Sequence, residues 1–391
     1  MATLQEIIPM LTEHSTNKHF IEYRSFLSNH VVHGIIALHF LHAPAANIRA
    51  FIDHYVKRLE GSDKHDIESD SSISLQGGQL QALRGQRRHY YQLARTFKDS
   101  FRDGYNANMD DFIRGEFAKL GDGMHVNALH ALIHMGYGHA VNSSRIVVEG
   151  MAYLHFSHQK TKLIPRHDGR RTSNIFDALT TVRNDVELRR MMREKARDEE
   201  FMPTISGQFQ REVGILCTDE ECRAKMEKIV LSIEFPNNFE IAKASIKDVL
   251  RLMDQVLQWA LTAYACSDPR NDFFLLHGVT GAWSLLQFLH LFSTEQAIDF
   301  VQQFIAVLLS AYCAQDCPSI NLMFLRDVPD CDMKALCVEA YNMRNVDEHI
   351  YKLVQVCKWL AKRHLDKPEV LDLCKVASRC VMDHDFSFSS K

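Results

Sequence analysis

Long segments of this chain carry apolar residues at i, i+3, i+4 and i+7, while the strict alternation of a half-buried strand is rare. Residues 26–41 place Phe26, Val31, Ile35, Leu38 and Leu41 on one helical face and stop at Ala43-Pro44. Residues 45–60 give a second helix with Ile48, Phe51, Ile52 and Tyr55 aligned. Residues 125–136 and 143–158 read as a helical hairpin, with Gly136-Tyr137-Gly138 as its stop and turn. Further helices are predicted over 238–266, 271–292, 294–315, 331–344, 346–364 and 368–382, and an exposed helix of mixed charge begins at Arg189. Residues 61–88 break the pattern as a polar loop or insertion ending in Arg84-Gly-Gln-Arg-Arg88. The fold class that follows is all-α, bundle-like, with about fifteen or more helices. No internal repeat of fixed period points to a solenoid.

Composition narrows the classes. With 391 residues, two domains is the default. The histidine motifs described below span almost the whole length, so the chain is read as one unit, 1–391. A net charge of −4 gives no basic balance for nucleic acid or anionic lipid. Ten cysteines all follow position 216 and none forms Cys-x-x-Cys, so each reads as a reduced, small core residue. Glu6 interrupts the segment where a signal peptide wants apolar residues, and no run reaches 18 apolar residues. The expectation is a cytoplasmic protein without a membrane span. There is no Gly-x-Gly-x-x-Gly after a strand, no phosphate loop, no Gly-x-Ser-x-Gly elbow and no pair of Glu-x-x-His motifs.

Four histidines carry the candidate chemistry. His30 lies in Asn29-His-Val-Val-His33, which sets two imidazoles at i, i+3. His130-Ala-Leu-Ile-His134 has the i, i+4 spacing of paired helical metal ligands, but Ala131 stands where a zinc protease has its Glu. His277 follows Asp272-Phe-Phe-Leu-Leu and precedes Gly278 and Gly281. Asp347-Glu-His-Ile-Tyr-Lys352 sets His349 and Lys352 at i, i+3. Each histidine taken alone reads more readily as a hydrogen-bonded core or surface residue than as a ligand. Burying four is easiest to explain if they share a partner, and a metal ion is the simplest one. A desolvated Lys352 would have a lowered pKa and could act as a base or form a carbamate.

Taken together, these motifs resemble the questin oxidase-like family. The matching stretches are Asn29 to Ala43 with His54-Tyr55, His130 to Gly138 with Glu149 to Leu154, Asp272 to Thr280, and Asp347 to Lys352, in the family's order. Leu41-His42-Ala43 departs from the family's Leu-Gly-Ala. The resemblance implies an oxidoreductase of the kind that opens anthraquinone-type rings or inserts oxygen beside a ketone, a Baeyer–Villiger-like, NADPH-dependent reaction. It implies an iron site with His30, His130, His277 and His349 as ligands and a modified Lys352 as the fifth. His33 and His134 would stand behind the ligands or face the substrate. Lys352, His33 and His134 are then the candidate catalytic residues, with molecular oxygen and a small apolar or aromatic molecule as partners. Met124, Met135, Tyr137, Phe273, Phe274 and Trp283 flank the motifs and are either pocket lining or core. Two other readings remain: a zinc-dependent hydrolase with Glu348 or Glu149 as its acid or base, and a helical binding protein without catalysis.

Overall fold

The computed structural model describes all residues except 1, 17, 25, 62–76, 103–107, 160–172, 199–206, 236–238, 345 and 384–391. Most of the polar stretch around 61–88 therefore lies outside the described residues. The chain is all-α. In chain order the helices are α1 (Leu4–Glu13), α2 (Val31–Phe40), α3 (Ala45–Tyr55), α4 (Gly77–Ala82), α5 (Tyr90–Arg102), α6 (Met109–Leu120), α7 (His130–Ala140), α8 (Ser144–Ser157) and α9 (Ile175–Asn184). They continue as α10 (Val186–Ala196), α11 (Gln208–Thr218), α12 (Glu220–Ser232), α13 (Ile246–Cys266), α14 (Phe273–Phe288), α15 (Thr294–Ala314), α16 (Met333–Asn342), α17 (Glu348–Arg363) and α18 (Pro368–Asp383). Among the described residues, extended structure is limited to two-residue ladders, Glu22–Tyr23 with Leu27–Ser28 and Ser267–Asp268 with Ser319–Ile320, and isolated bridges.

The chain divides into two compact units. The first holds Met1–Lys64, Leu257–Thr280 and Pro318–Lys391. In it α17 packs on α2, α16 and α18, and α2 packs on α1 and α3. Polar anchors fix these helices at their ends. Lys358 Nζ donates to the Phe40 carbonyl at 2.6 Å, which satisfies the C-terminus of α2. Asn47 Nδ2 donates to the Tyr341 carbonyl at 2.7 Å and so ties α3 to α16. α2 starts at Val31 rather than 26, because Asn29 Oδ1 accepts the Val31 N–H at 3.0 Å while Asn29 Nδ2 donates to Phe20 O. An Asn side chain that offers the backbone such a bond marks a helix start.

The second unit holds His65–Val256 and Gly281–Cys317. Its axis is α15, 21 residues long and mostly buried, against which α9, α11 and α12 pack. By length and composition alone α15 could cross a membrane; in this fold it is a core helix. Phe117, Phe288, Phe292 and Phe300 meet edge to face or tilted in the same unit. The α7–α8 hairpin is present, but Gly136-Tyr137-Gly138 does not end its first helix. Both glycines lie inside α7, which runs to Ala140. They serve close approach instead: a Cβ on Gly136 would stand 2.3 Å from Ser284 Cβ, and one on Gly138 would stand 2.8 Å from the Val147 nitrogen. The expected start at 125 is also corrected. Asn127, Ala128 and Leu129 all have left-handed φ (50, 52 and 68°), and α7 begins only at His130. Each such non-glycine residue carries strain of about 1–2 kcal/mol. All ten cysteines are free, and all but Cys331 are buried.

Gly136→Ala should cost about 1–3 kcal/mol, because Ser284 offers its Cα and Cβ rather than a flexible tip. Chemical denaturation of the variant checks this. A midpoint equal to that of the parent chain would mean that the α7 contact is looser than described.

Candidate active site

The start of α17 supplies three polar groups in a row. Asp347 caps the helix by accepting the His349 backbone N–H at 2.9 Å. The same Oδ1 lies 2.5 Å from His349 Nδ1, so one carboxylate both starts the helix and holds the ring. Burial pushes the Asp347 carboxyl up. The bonds and charge of His349, followed by the Lys352 cation, outweigh burial and keep it below the ordinary range. Burial lowers His349 to about 4, with the Lys352 charge adding and Asp347 opposing, so its imidazole is neutral.

His30 stands at the N-cap of α2, and its side chain caps nothing. Its ring is aimed instead at α17, with Nδ1 2.6 Å from Glu348 Oε1. Its backbone N–H donates to the Tyr55 hydroxyl at 2.9 Å, which brings in the end of α3. Arg58, in the turn after α3, lies over the Tyr55 ring and 3.9 Å from Glu348 Oε2. Glu348 is 3% exposed, and burial with Asp347 beside it raises the carboxyl to about 8. One proton therefore bridges Glu348 and His30. When it resides on Nδ1, Glu348 is the carboxylate and His30 Nε2 carries the lone pair. The His33 ring is stacked on His30 at 5.2 Å.

His277 lies one turn into α14, whose start Asp272 caps through the Phe274 and Leu275 N–H groups at 2.9 and 2.8 Å. His277 Nδ1 is 2.7 Å from the Phe273 carbonyl. A carbonyl only accepts, so Nδ1 bears the proton. The Phe273 ring lies 4.6 Å from both the His277 and the His349 rings.

The first unit thus brings together three of the four predicted histidines. Ring centroids are 4.8 Å apart for His30–His349 and His277–His349, and 6.5 Å for His30–His277. Nε2 of His277 and of His349 are 3.2 Å apart. Two imidazoles bound to one first-row metal at about 2.1 Å would hold their nitrogens roughly 3.0–3.4 Å apart. Each ring has an oxygen on Nδ1, the arrangement by which proteins fix the tautomer of a metal-binding histidine. Lys352 lies one turn beyond His349 on α17. It is 0% exposed, and among the described residues its Nζ has no hydrogen-bond partner. Burial lowers its ammonium to about 8, against the pull of Glu348 and Asp347. A neutral His349 imidazole and a buried amine without a partner among the described residues fit a transition metal with one anionic oxygen ligand built on the lysine.

The remaining candidates belong to the second unit. His130 opens α7, and its Nδ1 is hydrogen-bonded to the Asn127 carbonyl, the same ring polarity as in the other three. His134, one turn on, has Nε2 3.5 Å from Glu149 Oε2 on α8. Met124, Met135, Tyr137 and Trp283 are buried core side chains, with the Tyr137 and Trp283 rings 4.8 Å apart. Of the flanking apolar residues in the first unit, Phe273 and Phe274 both lie against its histidine cluster, with the Phe274 ring 6.2 Å from that of His277.

Sequence reasoning missed Tyr55 and Arg58, and it treated Glu348 only as a possible acid or base. Glu348 had a signal, since it sits between Asp347 and His349 in the motif. Arg58 had none, because its role depends on where the turn after α3 lies.

The chain is thus an all-α protein with a buried histidine cluster whose rings share one polarity. The profile of the questin oxidase-like family matches residues 27–357, and the chain belongs to that family. It is therefore an oxidase-type enzyme in the general sense. No curated protein matches the chain.

Buried neutral histidines make the fold acid-sensitive. Burial lowers His125 and His155, both in the second unit, from 6.5 to about 4. Between those values the unfolded chain binds protons that the native chain does not, so stability is full above 6.5 and is lost as pH falls towards 4. Thermal melts in excess chelator should show this fall, and His125→Gln should make it shallower. An unchanged slope would mean that His125 is protonated in the fold.

Proposed function

We propose that this chain is an iron-dependent oxidoreductase that inserts oxygen into, or cleaves, a ring of an aromatic, polyketide-like substrate. The observation that carries the reading is the common polarity of His30, His277 and His349, each with an oxygen at Nδ1. In this reading their Nε2 atoms hold the metal. Iron, when bound, supplies the one-electron chemistry through which molecular oxygen reacts with an organic ring.

The chain's own residues do the rest. Asp347 and Glu348 hold the ring protons of His349 and His30 and offset the positive charge of the site. Neutral Lys352 adds carbon dioxide: an N–C bond forms, one proton leaves, and the carbamate presents an anionic oxygen. The lowered pKa of its ammonium supports this, because only the free amine reacts. Phe273 gives the site an apolar wall suited to a flat, aromatic molecule and keeps water from that side. In this reading His33, stacked on His30, passes a proton or touches substrate. NADPH serves as an external reductant, without a dinucleotide-binding domain.

Metal analysis by mass spectrometry tests this on untagged protein purified without added metal. We expect about one iron per chain, lost in His277→Ala and His349→Ala. The same measurement on His130→Ala decides whether that histidine joins the set. Stoichiometric zinc would turn the reading to hydrolysis. No metal after anaerobic reconstitution with iron would overturn it in favour of a helical binding protein.

A further inference from the structure

A second polar cluster lies in the second unit, outside the site described above. It is built where the end of α8 meets the turn after α6 and the Arg84-Gly85 segment. His158 Nε2 donates to Asp122 Oδ1 at 2.8 Å, and the His158 ring lies where a Cβ on Gly123 would meet it at 2.6 Å. The His158 backbone N–H reaches the His155 carbonyl, and the Gly85 N–H reaches the same carbonyl at 3.2 Å. His125 Nε2 is 3.0 Å from Gln159 Oε1. His125 and His155 are only 3% and 2% exposed.

Three nitrogens of this cluster are buried and lack a hydrogen-bond partner among the described residues: Nδ1 of His125, Nδ1 of His155 and Nε of Arg84. The first unit's cluster has an acceptor on every ligand Nδ1; this one does not. A buried guanidinium N–H without an acceptor costs more than a neutral group, and native folds rarely leave one unanswered. The charge balance decides what could answer it. Arg84 is a permanent cation, it acts electrostatically on His155, and the cluster's carboxylate, Asp122, is already taken by His158. A metal cation would meet Arg84 with like charge. An oxyanion would accept from Arg84 and draw protons onto His125 and His155, converting both into donors. The sequence on either side is basic, with Arg84, Arg87 and Arg88 before and Lys160, Lys162, Arg166, Arg170 and Arg171 after.

We propose that Arg84, His125 and His155 form a binding site for a phosphate-type oxyanion, distinct from the histidine cluster of the first unit. The phosphate is either a free ion or the monoester group of a nucleotide. Recognition would follow the usual rule for such groups, a planar guanidinium donor combined with imidazolium N–H groups in a water-poor setting.

Isothermal titration of the full chain with inorganic phosphate at neutral pH and low salt tests it. Saturable binding is expected, weakened by about tenfold or more in Arg84→Gln and in His155→Asn. Arg326→Gln, at an exposed site in the first unit, should change it by less than about twofold. Arg84→Lys keeps the charge but not the planar fork, and it guards against a folding defect in Arg84→Gln. It should bind with intermediate affinity and melt like the parent chain. Parallel titration with adenosine 2′-monophosphate separates the sources: tighter binding than phosphate assigns a nucleotide, while equal or weaker binding assigns the free anion. Absence of saturable binding of either probe, or equal phosphate binding by the parent, Arg84→Gln and His155→Asn, would overturn the proposal.

Discussion

An imidazole can be buried only when its ring N–H has an oxygen to bond, and the first unit is arranged around that requirement. His349 has Asp347, His277 has the Phe273 carbonyl and His30 has Glu348. Two of these oxygens come from the first turn of the same helix, and the third is a carbonyl that α14 needs for its own ladder one turn later. Ring orientation is thus secured by the same groups that start or build the helices. A change that unwinds the start of α17 would therefore turn two histidines at once, because Asp347 and Glu348 move together.

Electrostatics follow from the same arrangement. Two carboxyl groups, a lysine and several imidazoles share a nearly dry volume, and water cannot screen them. The compromise is uneven. Asp347, with two N–H donors, stays ionised, whereas Glu348 and Lys352 are drawn towards neutrality from opposite sides. Arg58, in the turn after α3, lies 3.9 Å from Glu348 and stabilises its charged form. Proton affinities driven apart in this way gather at chemical sites, and structural ion pairs shift them too.

Much of this was legible in the sequence. Helical periodicity exposed the long elements, and the motifs around His30, His277 and His349 pointed to residues that do meet. The misreadings have physical causes. Gly136 and Gly138 looked like a helix stop because glycine usually ends a helix; here the missing Cβ lets α7 approach its neighbours. The start of α2 moved to Val31 because Asn29 satisfies the backbone there, a preference weaker than the apolar pattern that precedes it. Tyr55 and Arg58 could not be assigned, since a hydroxyl that accepts a backbone N–H 25 residues upstream leaves no periodic trace.

The core helix α15 carries a consequence for how the chain is made. Before it is covered, it is an apolar rod of membrane-spanning length, the kind of segment that a bilayer or a neighbouring nascent chain would capture. Its partners α9, α11 and α12 all precede it in the sequence, so they have left the ribosome before α15 emerges. The order of synthesis thus shelters the one segment most apt to be lost on the way to the native state. A circular permutant that placed α15 first would keep every native contact and still forfeit that protection.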